Sequence, residues 1–356
     1  MLAVQNQRRA SAEIFLTYTP ALFEQAVERA AELLRAGEVV ALPTETVYGL
    51  AANALNKSAV ARIFEIKGRP AHNPIIVHVS SIEMAKSCVT VWPTSAHRLA
   101  QEFWPGPLTL VLPRSNQIPP IVTAGGQTVG VRWPSHPIIQ AVITRCGFPL
   151  AAPSANVSTG LSPTTADHVR KSLGRVIPLI VDGGPCQVGI ESTVFDLTET
   201  RPRVLRPGLI HETAIFAVLE HETIEGRGPR VEQAESRGRA VLAPLRSPGL
   251  LPRHYAPNAR LVVLAWRNDA DLKVQSSKFK VQGSKTHVLA HTRIPSGKGL
   301  GGVSVVPHDP AAFARALYAE LHRCDESGAE LIIVEAPPPG DEWRAISDRL
   351  ARAANE

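Results

Sequence analysis

Residues 21–52 read ALFEQAVERAAELLRAG, then EVVALPTETVYGLAA. The first half, 21–37, has apolar residues at helical spacing and ends in Gly37, the residue type that closes helices in the left-handed region. The second half is an apolar strand running into a turn at Pro43-Thr44-Glu45-Thr46. The alternation continues along the chain. SAVARIFEIKGRP (58–70) predicts a short helix closed by Gly68 and Pro70, and HPIIQAVITRCG (136–147) predicts a helix starting near Pro137. PIIVHV (74–79) and LTLVLPR (108–114) predict strands. LAAPSAN (150–156), VIPLIVDGG (176–184), STVFDL (192–197) and RVLRPG (203–208) are short apolar segments broken by turn residues. Helices alternating with apolar strands predict an α/β domain over 15–210.

Periodicity stops after about residue 224. EGRGPRVEQAESRGRAVLAPLRSPGLLPRHYAPN (225–258) holds Arg227, Arg230, Arg237, Arg239, Arg246 and Arg253 among its prolines. It reads as a linker, assigned to 211–258. A segment this long within a compact protein is a disordered tether or a functional loop. Beyond it, ARLVVLAW, THVLAHT, VSVVPHD and LIIVEAPP read as strands, and AAFARALYAELHRCDESG and DEWRAISDRLARAAN as amphipathic helices. They predict a smaller Rossmann-like α/β domain over 259–356.

Composition agrees with two folded domains. The chain has 356 residues, 44% hydrophobic and 20% charged, which excludes disordered, collagen-like and coiled-coil classes. At about 100–200 residues per domain, two is the expectation. No apolar run reaches the roughly 18 residues a membrane span needs. The leading residues MLAVQNQRRASAEIF lack the apolar core of a signal peptide. Cys88, Cys146, Cys186 and Cys324 are far apart in sequence, against a zinc finger or a disulfide framework. A cytoplasmic location is the expectation. The net charge of +6 fits either a phosphate-binding partner or a simple solubility setting.

One motif is a decoy. Gly297-Lys-Gly-Leu-Gly-Gly302 spells G-x-G-x-x-G, but strand-like VSVVP follows where a dinucleotide loop must open a helix. There is no G-x-x-x-x-G-K-[ST] phosphate loop, no H-E-x-x-H and no G-x-S-x-G. The informative residues cluster at segment ends instead. Thr44-Glu45-Thr46 follows one strand, and Lys67-Gly-Arg69 offers a point charge and a planar fork for a polyphosphate. His78 ends another strand pattern; a histidine there is more often a satisfied core residue than a ligand. In Thr128-Val-Gly-Val-Arg132, Thr128, Gly130 and Arg132 share one face, and an arginine pointing inward needs an anion, either a ligand or a structural ion pair. Ala152-Pro-Ser154-Ala-Asn156, Ser162, Ser192 and Arg206 repeat the theme of small polar or cationic residues at segment ends. Together they predict one cavity for a polyphosphate and a carboxylate.

PTETVYGL, KGRPAHNPIIVHV, WPGPLTLVL, TVGVRWPSHP, AAPSANVSTGLSPT, VDGG, GIESTVFDL and VLRPG, in this order, resemble the YrdC-type domain family. With SPGLLPRHYAPN and the C-terminal unit, the chain is similar to the two-domain threonylcarbamoyl-AMP synthases over about 15–350. The resemblance implies a YrdC-like twisted open sheet with helices. It also implies synthesis of threonylcarbamoyl-AMP and pyrophosphate from L-threonine, bicarbonate and ATP, for N6-threonylcarbamoyladenosine formation in tRNA. Matching motifs imply that Thr46, His78, Arg132, Ala152 and Ser192 contact threonine. Arg69, Asn73, Thr128, Ser154, Ser162, Arg206 and Tyr255 would hold ATP or product, with Ser158 a secondary candidate. Lys67 and Arg69 would neutralise phosphate charge, with Mg²⁺ held mainly by phosphates and water. The implied partner is a downstream threonylcarbamoyl-transferase acting on tRNA. The linker, with Arg253-His-Tyr255, would act as a lid or as a passive tether.

Two other functions fit parts of the same pattern. A related carbamoyl-adenylate-forming enzyme of hydrogenase maturation shares the domain type, but normally adds acylphosphatase and zinc-finger modules that have no counterpart here. A non-enzymatic RNA-binding protein would use the basic charge for phosphates, with salt-sensitive tRNA binding. Aromatic residues at 5% with no stacking motif disfavour base-specific single-strand reading.

Overall fold

A computed structural model of the chain describes residues 11–220, 247 and 254–354. The arginine-rich stretch read as a lid, apart from Ser247 and residues 254–258, lies outside the described residues.

The first domain is built on a ten-stranded mixed sheet. From one edge its strands are Glu13–Leu16, Leu179–Asp182, Val40–Leu42, Gly49–Asn53, Leu150–Ala151, Val77–His78, Thr128–Arg132, Leu108–Pro113, Thr193–Asp196 and Arg203–Arg206. Helix Pro20–Arg35 begins where Thr19 Oγ1 accepts from Leu22 N, and Gly37 (φ +80°) turns the chain out of it. It buries Ala26, Ala30 and Leu34 on one sheet face, beside Ile138, Val142 and Ile143 of helix Pro137–Cys146. On the other face Ala59 and Ile63 of helix Lys57–Lys67 and Leu99 of helix Thr94–Phe103 join Leu50, Leu110, Val131 and Phe195.

Three local readings change. EVVALPTETVYGLAA is a β-hairpin: Val40, Ala41 and Leu42 pair antiparallel with Ala51, Leu50 and Gly49. The second strand, GLAAN, has small residues and no β-branched signature, so the sequence shows only a turn there. PIIVHV and LAAPSAN shrink to two-residue strands: Ile75 N bonds out to Val122 O, and Pro153 has no N–H with which to extend the second. A helix, Glu212–Glu220, occupies the start of the stretch read as linker. It packs on the first domain through the buried Ile215 and through Phe216, edge-on to Phe195 at 5.8 Å.

The second domain is a four-stranded, all-parallel sheet in the order Arg260–Leu264, Leu331–Glu335, Thr286–Ala290, Gly302–Val305. Helix Asp269–Ser277 covers one face; helices Pro310–Glu326 and Arg344–Ala354 cover the other. Gly297–Gly302 leads into a strand and not into a helix, so it lacks the setting of a dinucleotide loop. The domains are joined closely. Arg315 Nε donates to Gln187 O at 2.6 Å, and Lys171 meets Glu326 at 2.6 Å. At Gly189 (φ +82°) a side chain would collide with the backbone of Ala314 and Arg315. Among the described residues no helix is long and apolar enough to cross a membrane.

Candidate active site

The turn at the tip of the first hairpin is rigid. Thr44 Oγ1 donates to Val47 O and accepts from the Thr46 and Val47 amides, so one hydroxyl organises the whole turn. It forms one wall of a cleft of about 560 Å³, counting the part open to solvent. Strand ends supply the rest. Parallel pairing of Val77–His78 with Thr128–Arg132 brings His78 opposite Arg132.

Arg132 is buried and lines the cleft. Nε donates to Gly106 O at 3.2 Å and Nη1 to Thr46 Oγ1 at 2.9 Å. Nη2 lies 2.7 Å from Glu45 Oε1, but out of line for a hydrogen bond. One N–H of Nη1 and both of Nη2 are therefore uncommitted to hydrogen bonds in the protein, enough for a bidentate carboxylate. Burial first, and then the Arg132 charge, push His78 down to about 3, so it is neutral at physiological pH. Its Nδ1 has no partner within the protein.

Arg69 and Arg206 stand on the same cleft. Arg69 donates to Asn73 O at 3.0 Å and Pro74 O at 2.6 Å, and burial lowers it to about 10, which still leaves a cation at neutral pH. Arg206 donates to Ser192 O and Ser192 Oγ, each at 3.1 Å, and Thr109 Oγ1 lies 2.8 Å from the same Ser192 hydroxyl. Tyr255 reaches into the wall with a buried hydroxyl that has no protein partner, as does His254 Nδ1. Buried polar atoms without partners are rare in folded proteins, and their clustering here marks a ligand site.

Thr46, His78, Arg132, Ala152, Ser154, Ser192, Arg69, Arg206 and Tyr255 all line the cleft. The remaining predicted residues do not. Lys67 is buried, and its Nζ is taken up by the carbonyls of Ser154 and Asn156. Ser162 donates to Glu191 Oε1 at 2.6 Å. Asn73 is fully buried behind Arg69, with both side-chain polar atoms unpartnered. Thr128 lines an adjoining depression that shares Ile75 and Ile76 with the cleft. Ser158 lies off the lining, its amide bonded to Lys67 O.

Comparison with known proteins places the chain in a family. Residues 32–208 match the Sua5–YciO–YrdC family model, described as "Telomere recombination". Residues 210–355 match the model "Threonylcarbamoyl-AMP synthase, C-terminal domain". The threonylcarbamoyl-AMP synthase of Pyrococcus abyssi is 39% identical over 338 residues, covering 93% of this chain and 94% of that protein. The chain belongs to the two-domain threonylcarbamoyl-AMP synthase family. The Bacillus subtilis member is also 39% identical over 338 residues, covering 92% of each chain. The crystal structure of P. abyssi Sua5 complexed with L-threonine matches with a TM-score of 0.82 at 37% identity, covering 97% of this chain and 98% of that one.

Against this family background, the cleft residues that no motif had assigned to a ligand contact are Thr44, Val47, Gly49, Ile75, Ile76, Pro153, Glu191 and His254. Thr44 and Glu191 sit within the motifs PTETVYGL and GIESTVFDL. Gly49 keeps the wall thin: a side chain there would press on Ala152 Cβ at 3.3 Å.

Proposed function

We propose that this chain is a threonylcarbamoyl-AMP synthase, converting L-threonine, bicarbonate and ATP into threonylcarbamoyl-AMP and pyrophosphate. One observation carries the reading beyond family membership. A single cleft holds a buried arginine with donors to spare, Arg132, beside Thr46 and neutral His78, and two further arginines, Arg69 and Arg206, on its walls.

Arg132 takes the threonine carboxylate, with Thr46 and His78 close by. Ala152 and Ser192 complete that end of the pocket. Arg69 and Arg206 take the phosphates, and Ser154 and Tyr255 bound the nucleotide, with Thr128 beside its far end. Bicarbonate takes up a proton and loses water to give carbon dioxide, and the threonine amine adds to it, forming a carbamate and releasing a proton. A carbamate oxygen then bonds to the α-phosphorus while the bond from that phosphorus to the bridging oxygen breaks, and pyrophosphate leaves with the electron pair. The protein supplies position and charge and no nucleophile. Mg²⁺ entering with ATP would be held by phosphates and water, since the carboxylate that lines the cleft, Glu191, is committed to Arg349. His254 and Tyr255 close the wall and keep water from a labile mixed anhydride. The product then serves a threonylcarbamoyl-transferase acting on tRNA.

The test is pyrophosphate release with threonine and bicarbonate each left out in turn. Dependence on both is expected; ATP turnover indifferent to both would overturn the reading.

A further inference from the structure

The second domain reaches the wall of the first domain's cleft. Glu191 lines that cleft and is 6% exposed. Three side chains donate to its carboxylate: Ser162 Oγ at 2.6 Å, Arg349 Nε at 2.7 Å, and Tyr318 OH at 3.2 and 3.3 Å to its two oxygens. Tyr318 and Arg349 come from helices Pro310–Glu326 and Arg344–Ala354 of the second domain. Arg349 is itself buried, meets Asp348 at 2.8 Å, and lies over the Tyr255 ring at 5.3 Å from its centre.

A bare carboxylate on this wall would oppose a polyphosphate, and a buried charge without a partner is costly. Burial pushes the Glu191 carboxyl up, but Arg349 foremost and then Arg206 outweigh it and hold it below the usual carboxylate range. The carboxylate is thus ionised in the cleft wall and needs a cation. Arg349 supplies one from behind the wall; Arg206, the second cation acting on it, lines the cleft itself.

We propose that Arg349, helped by Tyr318, is a positioning residue for ATP: it neutralises Glu191 from behind, so that Arg206 stays directed at the phosphates and the second domain completes the nucleotide site. The inference rests on the synthase reading of the cleft. It also assigns the second domain a part in substrate binding, beyond tethering the linker.

The experiment compares Arg349→Met, Arg349→Lys, Glu191→Gln and the Glu191→Gln/Arg349→Met pair. Affinity for a non-hydrolysable ATP analogue is measured by calorimetry, alongside KM for ATP and for threonine and the melting temperature. Arg349→Met is expected to weaken analogue binding and raise the ATP KM about tenfold or more, with the threonine KM within about twofold; tenfold is the scale of one lost electrostatic contact. Arg349→Lys, which keeps the charge, should fall between that variant and the wild type. With the Glu191 charge removed, Arg349→Met should add little further loss, so Glu191→Gln and the double variant should bind the analogue alike. This last comparison stands even if Arg349→Met alone does not fold. An unchanged ATP KM in Arg349→Met, or a double variant bound about tenfold more weakly than Glu191→Gln, overturns the proposal. Failure of the synthase reading would appear separately, as wild-type ATP turnover indifferent to threonine.

Discussion

Arg132, which lines the cleft, and Glu45 face each other 2.7 Å apart, with side chains only 4% and 6% exposed. The pair holds the guanidinium still, and the donors left over point to a carboxylate ligand. Arg132→Ala is expected to abolish threonine-dependent pyrophosphate release. It also strands Glu45, a loss of roughly 3–5 kcal/mol on breaking a buried ion pair. Arg132→Lys separates the two effects. It keeps the charge beside Glu45 but loses the planar fork, so the threonine KM should rise about tenfold or more while the fold survives. Wild-type-like turnover in Arg132→Ala would remove Arg132 from the site.

Tyr255→Phe deletes a buried hydroxyl that bonds to nothing in the protein. Losing a group with no partner costs the free protein almost nothing, so unfolding free energies from urea titration should match within about 0.5 kcal/mol. Nucleotide binding should weaken by about 0.5–1.5 kcal/mol, the usual value of one hydrogen bond. A stability loss without an affinity loss would mean that the hydroxyl serves the fold and not the nucleotide.

Lys67 discriminates between two roles. Its ammonium holds the carbonyls of Ser154 and Asn156, and burial first, then Arg69, push its pKa well below the usual lysine range. Lys67→Met should let the 154–156 turn move, so activity and melting temperature fall together, with a stability loss of about 1–3 kcal/mol. A drop in kcat with an unaltered melting temperature would instead place Lys67 on the phosphates.

Most of the site was legible because family motifs and strand ends coincide: Thr46, Arg69, Arg132 and Arg206 are read from short local patterns and all reach one cleft. The hairpin was not legible, since GLAAN carries no strand signature of its own. Nor was the partner of Glu191, because Arg349 lies 158 residues away and belongs to another domain. Local pattern shows that Lys67 is cationic; only the packing shows which atoms its charge is spent on. A side chain's chemistry is written in the sequence, whereas its direction is set by neighbours distant along the chain.

Acid should destabilise the protein earlier than its carboxylates alone would dictate. Burial pushes His78 and His254 each down to about 3, and His168 to about 4. In the unfolded chain all three titrate near 6.5. Between those limits the unfolded state binds protons that the folded state refuses, so stability falls as the pH drops below about 6.5 and keeps falling to about 4. His78 and His254 are nearly fully buried, and each contributes a slope of roughly 1.4 kcal/mol per pH unit in that window. Urea unfolding at pH 7.5, 6, 5 and 4.5 measures it. The midpoint should hold above about pH 6.5 and decline steadily below, and His78→Gln should flatten part of the decline. A midpoint constant down to pH 4.5 would mean that these imidazoles accept protons in the folded state, and so that His78 is not held neutral beside Arg132.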